Sequence, residues 1–446
     1  MKISKYTYLF ESNNGEFLVY NSQTNSFLEI YRELFDALNE CKNHSDANKL
    51  HLEEKEKELL IKHKILISDN ESDRYFYESK LKTYANFFNQ KYIGLTLVPT
   101  TGCNFNCPYC FESNKKTITI SDEMINHLIE FLKGHEQAEF ISITWYGGEP
   151  LMAFKKMKKI YQKIQEETNL QIKGHDIITN GYYINNEVIQ FFKDTSLKFI
   201  QITLDGNAES HNFKRKLKTN GAPTFDKILH NIKILLKELP QTKIAIRVNI
   251  DKNNKNDYYE VYTQLKQLKN SEKLYIYPGM IRIDDEDGTQ LGCESLLSMD
   301  KSNFYFELSE KKDIYVRFYP QLVRKGCTAN AMNSYIIGPS GEIYKCWNDV
   351  SNESKIVGYI HKKELTNSDL LSKYIVGVSC FEDEKCKDCF LLPICSGGCA
   401  WYRMRNFFEQ GKYDICTLYK DKVTFNKCLE TYYNNRNNKK YQLNFS

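Results

Sequence analysis

The sequence has little of what marks membrane, secreted or nucleic-acid-binding chains. No apolar run reaches the ~18 residues that a membrane helix needs. The opening residues Met1-Lys-Ile-Ser-Lys-Tyr-Thr-Tyr8 lack the apolar core of a signal peptide. Formal net charge is only +4, from 61 Lys and Arg against 57 Asp and Glu, so no basic excess points to nucleic acid. Proline is scarce, at 9 in 446 residues. A cytoplasmic protein with no membrane and no nucleic acid among its partners is the expectation, long enough for two or three domains and a substantial core.

Cysteine is abundant by contrast, at 14. A reducing compartment argues against structural disulfides, and metal accounts better for clustered thiols. The clustering is marked: three lie near residue 105 and nine between Cys327 and Cys428, with only Cys41 and Cys293 scattered. Those two read as ordinary small buried residues.

The first cluster is Cys103, Cys107 and Cys110, spaced C-x3-C-x2-C directly after the apolar segment 93–98. Three thiolates on one loop suit three irons of a [4Fe–4S] cubane and leave the fourth iron for an exogenous molecule. An electron carrier normally gives every iron a cysteine. A zinc finger would need a second ligand pair a dozen or so residues on. None follows Cys110 before Cys293, although His127 and His135 are single candidates.

From about 90 to 290 strand-like runs alternate with helical patterns, at 93–98, 140–145, 176–179, 199–204, 243–250 and 274–277. Such alternation implies parallel strands joined by crossover helices. Polar motifs stand at the strand ends. Gly147-Gly148-Glu149-Pro150 follows the second strand, where glycine lets backbone approach a ligand and a carboxylate accepts from an ammonium. Thr179-Asn180-Gly181 ends the third, and Leu204-Asp205-Gly206 the fourth, with His211 and Arg215 following. Arg247 and Asn249 alternate with apolar residues on the fifth, and an arginine there needs an anion. A structural ion pair explains Asp205 and Arg215 equally well.

Between 300 and 420 periodicity fades and thiols dominate, as expected of a segment organised by metal. Cys327 precedes Gly341 and Cys346, then Cys386-x2-Cys389-x5-Cys395-x3-Cys399 leads to Cys416. Zinc ribbons are the physical alternative for C-x2-C units. At the other end, β-like runs 6–10 and 16–20 flank the turn signal Ser12-Asn-Asn-Gly15. A third run at 26–30, helical patterns to Leu38 and over 47–63, and a last run at 64–68 complete a winged-helix-sized unit.

The C-x3-C-x2-C loop after a strand, with Gly147–Pro150 after the next, resembles the radical S-adenosylmethionine (SAM) superfamily. The seven spaced cysteines resemble its SPASM domain, and residues 1–85 resemble, in pattern and position, the RiPP recognition element of peptide-modifying systems. The resemblance implies an α/β fold. A partial (β/α)6 TIM-like barrel over 90–295 would stand between a winged-helix-like α+β leader-binding module at 1–85 and a cysteine-rich SPASM domain at 300–430, with a polar tail at 431–446.

Residue by residue, the resemblance makes Cys103, Cys107 and Cys110 the catalytic cluster ligands. Tyr109, Gly147, Gly148, Glu149, Pro150, Thr179, Asn180, Asp205, Arg215, Arg247 and Asn249 become the SAM contacts, with Glu149 facing the ligand. Cys386, Cys389, Cys395 and Cys416 would hold a distal auxiliary cluster, and Cys327, Cys346 and Cys399 a proximal one. The family's further ligand, six residues before Cys327, is Gln321 here. Cys380 or Cys293 would replace it, or the iron stays open. Three [4Fe–4S] clusters and SAM are thus the implied cofactors. A precursor peptide with its leader and an external low-potential donor of flavodoxin or ferredoxin type are the implied partners.

The function so implied is a radical SAM/SPASM oxidoreductase that crosslinks a ribosomally synthesised peptide. A thioether is the first expectation and a carbon–carbon or carbon–oxygen macrocycle the next. An anaerobic sulfatase-maturating enzyme is the alternative, although Trp347 stands where that family has an aspartate. A non-catalytic iron–sulfur electron-transfer or peptide-binding protein is the alternative of another class.

Overall fold

A computed structural model describes residues 1–44, 50, 52–69, 71–110, 116–281, 289–290, 293–294, 298–312, 314, 316–323 and 327–436. Its packing forms two compact units that interleave along the chain. One comprises 1–88, 304–331 and 372–446, the other 89–303 and 332–371.

The strands of the first unit are β1 (Lys2–Ile3), β2 (Thr7–Glu11), β3 (Phe17–Asn21), β4 (Ser26–Ile30) and β5 (Leu66–Ile67). β2, β3 and β4 form an antiparallel sheet and β1 pairs with β5. The turn signal holds: Gly15 sits at φ +87 and its N–H donates to Ser12 O at 3.0 Å. Period-two alternation gives β3 two buried faces. Val19 faces Leu34, Leu38, Leu60, Ile65 and Leu66. Leu18 and Tyr20 face the other way, onto Tyr319, Leu391, Ile394, Phe425 and Leu429 from the C-terminal part of the chain. The start and end of the sequence therefore share one core. The polar stretch beyond Glu430 continues a helix, Lys422–Asn435; residues from 437 lie outside those described.

The second unit carries the expected α/β frame. Its strands are β6 (Tyr92–Leu97), β7 (Phe140–Trp145), β8 (Gln171–Thr179), β9 (Phe199–Leu204), β10 (Lys243–Ile250) and β11 (Leu274–Met280). They pair in parallel in that order. Helices Asp122–Lys133, Phe154–Glu167, Asn186–Asp194, Phe225–Glu238 and Asp257–Lys266 lie between them in sequence. The first of these shows why they form. Ser121 caps it, accepting from Met124 N, and Ile125, Leu128, Ile129 and Leu132 bury one face at helical spacing. Among the described residues β11 pairs only with β10 and ends the sheet, as in a partial barrel. A short pair, β12 (Thr289–Gln290) with β13 (Cys293–Glu294), follows.

The stretch expected to be irregular supplies three more strands. β14 (Ser334–Ile337) pairs in parallel with β6, and β15 (Glu342–Tyr344) and β16 (Gly358–Tyr359) extend the sheet antiparallel. Strands this short leave no periodicity to read. Residues 332–371 accordingly belong with the barrel sheet, inside the 300–430 span assigned to the SPASM domain. No helix among the described residues is long and apolar enough to cross a membrane.

Candidate active site

The loop after β6 carries Cys103, Cys107 and Cys110, all free thiols. It is pinned at both ends. Thr100 and Thr101 bond to Ile118 O, and an antiparallel bridge joins Phe105 to Leu217. Cys103 Sγ accepts from Phe105 N at 3.4 Å. Burial pushes the Cys103 thiol up to about 11 and that of Cys107 up to about 12, so a metal is what would make them thiolates. Among the described residues no three His, Cys, Asp or Glu side chains converge on a single ion. Three cysteines on one loop are a donor set that could give three irons of a cubane one thiolate each.

The β7 end abuts this loop. A Cβ on Gly148 would stand 2.3 Å from Gly102 O and 2.5 Å from Thr101 O; one on Gly147, at φ +126, would stand 2.5 Å from Thr100 O. Only glycines allow backbone to approach backbone so closely. Pro150 begins a short 3-10 turn after them. Glu149 is fully buried. Its Oε1 accepts from Leu151 N at 3.0 Å and Thr179 Oγ1 at 2.8 Å, and its Oε2 from Asn180 N at 2.7 Å. Burial pushes this carboxyl up, against the pull of the three donors. The carboxylate expected to face a ligand is thus a bracket between the ends of β7 and β8. Asn180 also donates to Asn104 Oδ1 at 2.7 Å, tying the β8 end to the cysteine loop.

The remaining predicted contacts form one buried network around Tyr109. Its hydroxyl donates to Asp205 Oδ2 and accepts from Arg215 Nη1 at 3.0 Å and Asn249 Nδ2 at 3.1 Å. Arg247 Nε donates to Asn249 Oδ1 at 2.8 Å, so the two polar residues of β10 act together. Arg215 and Asp205 form an ion pair at 3.6 Å. Asp205 N donates to His211 Nδ1, and burial holds that imidazole well below its ordinary range. Three buried polar atoms here lack a hydrogen-bond partner: Asn104 Nδ2, Asp205 Oδ1 and Arg215 Nε. Sequence reasoning passed over Asn104, whose only signal is a polar residue inside the cysteine motif. It also passed over Asn254, which donates to Asp205 O and Asn249 O.

Of the C-terminal thiols, Cys346 belongs to the second unit. Cys327, Cys380, Cys386, Cys389, Cys395, Cys399 and Cys416 belong to the first. There, burial pushes the Cys395 thiol up and the Cys380 thiol up to about 12. A cleft of about 590 Å³, mouth included, is lined by Cys327, Cys380, Cys395 and Arg403. Cys380 Sγ comes within 3.4 Å of where a Cβ on Gly397 would sit. The side chain of Cys293 lies outside the described residues.

Residues 97–265 match the model of the radical SAM superfamily. The chain is 28% identical over 335 residues to the cysteine-type anaerobic sulfatase-maturating enzyme of Clostridium novyi (strain NT), covering 69% of this chain and 87% of that one. It is 22% identical over 264 residues to the radical SAM cyclopropyl synthase TigE of Paramaledivibacter caminithermalis, covering 52% and 54%. Among solved structures, native anSMEcpe with bound AdoMet and Cp18Cys peptide matches with TM-score 0.58 at 21% identity, over 77% of this chain and 99% of that one. Streptococcus suis SuiB bound to S-adenosylmethionine matches with TM-score 0.51 at 16% identity, over 94% and 100%.

The fold and the cysteine loop thus define a radical SAM enzyme, the class that works with a [4Fe–4S] cluster and SAM. Within that superfamily it is similar in sequence to anaerobic sulfatase-maturating enzymes and in fold to anSMEcpe and SuiB.

Proposed function

We propose that this enzyme crosslinks a ribosomally synthesised precursor peptide in the cytoplasm. The observation that carries the reading is a fold likeness running over 94% of the chain, N-terminal module included, to a protein solved with its precursor peptide SuiA. Residues 1–85 take the leader, added as a strand at a free edge of the β2–β3–β4 sheet. Cys103, Cys107 and Cys110 hold the catalytic cluster, which with SAM supplies a 5′-deoxyadenosyl radical. Cys386, Cys389, Cys395 and Cys416 hold one auxiliary cluster. Cys327 and Cys399, both in the first unit, belong to another, with Cys380 or an open iron among its further positions.

The chain's own residues bind, orient and exclude water. Buried donors Asn104 Nδ2 and Arg215 Nε are free to receive the methionyl carboxylate. The Glu149 bracket fixes the β7 end, whose backbone carbonyls take the ammonium. In the thioether case the peptide carbon would give a hydrogen atom to the 5′-deoxyadenosyl radical and the thiol a proton to solvent, and the one electron released as the C–S bond closes would pass to an auxiliary cluster. An external low-potential donor of flavodoxin or ferredoxin type starts each turnover.

Similarity to sulfatase-maturating enzymes favours formylglycine formation as a second reading. Against it, Trp347 follows Cys346 and stacks on Tyr146 with ring centroids 5.7 Å apart, a side chain with no acid–base chemistry.

The test is anaerobic iron reconstitution, SAM and a low-potential reductant, with a Cys103→Ala, Cys107→Ala, Cys110→Ala variant alongside. About twelve irons per chain, falling to about eight in the variant with loss of 5′-deoxyadenosine, is the expected result. Mass spectrometry of a co-expressed precursor then identifies the bond, since a thioether blocks cysteine alkylation. Full clusters with no 5′-deoxyadenosine in the presence of precursor would favour the electron-transfer reading, and zinc in place of iron would overturn the assignment.

A further inference from the structure

Arg403 is the largest charged side chain buried in the first unit, only 2% exposed. It lies on the helix Ala400–Phe408, immediately after Cys399. A guanidinium is expensive to bury unless its donors are met. Here they are met by four groups that belong to the cysteine segment. Nε donates to Val378 O at 2.8 Å, Nη1 to Gly397 O at 3.4 Å, and Nη2 to Asp383 Oδ2 at 2.8 Å. Nη1 also points a donor at Cys386 Sγ, 3.7 Å away. Asp383 Oδ2 lies 3.6 Å from the same sulfur. A buried cation and a half-buried anion thus both stand against one half-buried thiol.

We propose that Arg403 and Asp383 set the reduction potential of the auxiliary cluster, Arg403 raising it and Asp383 lowering it. The inference rests on Cys386 being a ligand of that cluster. Donor hydrogen bonds to cluster sulfur withdraw negative charge and favour the reduced form, and a neighbouring carboxylate acts oppositely. Partial burial screens both charges less than bulk water would. Arg403 is a positioning and tuning residue, touching the ligand and not the iron.

The two charges make opposite predictions, which a purely structural latch does not. The full-length chain carrying Cys103→Ala, Cys107→Ala and Cys110→Ala, reconstituted with iron, isolates the auxiliary signals. Arg403→Gln, Arg403→Lys, Asp383→Asn and Cys386→Ala are then compared on that background by iron count and by an EPR-monitored redox titration. Arg403→Gln is expected to retain its iron and reduce less readily. At fixed poise its reduced-to-oxidised ratio should fall about tenfold, which is about 59 mV for one electron. Asp383→Asn should shift the other way, with Arg403→Lys nearer the parent. Shifts of the same sign, or full iron with no shift in either variant, overturn the inference. Loss of iron from both Arg403→Gln and Asp383→Asn also overturns it, since the pair is then a structural latch. Undiminished iron in Cys386→Ala overturns instead the ligand assignment beneath it, so the two failures are distinguishable.

Discussion

Replacing Glu149 by glutamine changes one atom and tests how the proposed SAM site is held. The carboxylate accepts three hydrogen bonds at 2.7 to 3.0 Å in a fully buried position. In Glu149→Gln the amide oxygen can keep Leu151 N and Thr179 Oγ1, but the new NH2 must then face Asn180 N–H, donor against donor. One charge-assisted bond is lost and a buried N–H left unmet, a cost of about 2–4 kcal/mol. Glu149→Ala strands two backbone donors and opens a cavity, for about 3–6 kcal/mol. Because the bracket joins the ends of β7 and β8, part of that loss appears as a displaced site. Anaerobic urea unfolding reads the first effect and 5′-deoxyadenosine formation the second. Glu149→Gln should lower the unfolding midpoint and slow 5′-deoxyadenosine formation by at least tenfold. A variant within about 0.5 kcal/mol of the parent, with unchanged 5′-deoxyadenosine formation, would refute the bracket.

Gly148→Ala should be worse than an ordinary glycine replacement, because its Cβ meets backbone oxygens at 2.3 and 2.5 Å that cannot give way. We expect about 1–3 kcal/mol of destabilisation and loss of SAM binding, measured by anaerobic calorimetry. Tyr109→Phe removes the hydroxyl shared by Asp205, Arg215 and Asn249. Unfolding should show a loss of about 2–3 kcal/mol, with three buried polar groups left short of a partner. His175 is buried, accepting from Trp145 Nε1 at 3.1 Å and bonding Thr195 Oγ1 at 2.7 Å. Burial, aided by Lys198, lowers its pKa from 6.5 to about 4. Below pH 6.5 the unfolded chain takes up a proton that the folded chain refuses. Stability should therefore be full above that pH and fall by about 2 kcal/mol between pH 7 and pH 5. His175→Gln should flatten that component of the urea-midpoint profile, and an unchanged profile would remove His175 as its source.

Much of this was legible because strong local signals agree with the fold. The runs at 140–145, 199–204 and 243–250 became β7, β9 and β10 residue for residue. β-branched residues crowd into each, with alternating or continuous burial. The helix Glu71–Phe87 was not legible. Its aromatics cluster at Tyr75, Phe76 and Tyr77, and Tyr77 and Leu81 stay largely exposed, so no single apolar stripe announces it. β14 to β16 were hidden by their length. At the site, motif order along the chain picked out Glu149, Asn180, Asp205, Arg215 and Asn249. What each one does depends on partners 30 to 140 positions away, as in the 31-residue separation of Asn180 from Glu149 and the 140-residue separation of Asn249 from Tyr109. Glu149 shows the gap: a motif identifies the residue, and only the fold reveals that its oxygens are already taken by Leu151, Thr179 and Asn180.

The two cysteine sites differ in how their charges are satisfied, and that difference supports dividing the chemistry between them. Beside Cys103–Cys110 the buried polar atoms are left incomplete: Asn104 Nδ2 and Arg215 Nε lack hydrogen-bond partners, and Asp205 Oδ1 has its ion pair with Arg215 at 3.6 Å but no hydrogen bond. A buried polar group without a partner costs about 1–3 kcal/mol, so such a cluster is stable only where something else completes it. A zwitterion with a carboxylate and an ammonium is a suitable complement. Beside Cys386 each guanidinium nitrogen of Arg403 donates to protein, and its charge is matched by Asp383. That arrangement has no polar vacancy for a ligand and a fixed field at sulfur. A site left polar-incomplete suits binding and activating a molecule, and a site fully compensated around its thiols suits holding an electron at a set potential. A plain electron carrier would need only the second kind. The first kind, in the same chain, is what favours radical catalysis over electron transfer alone.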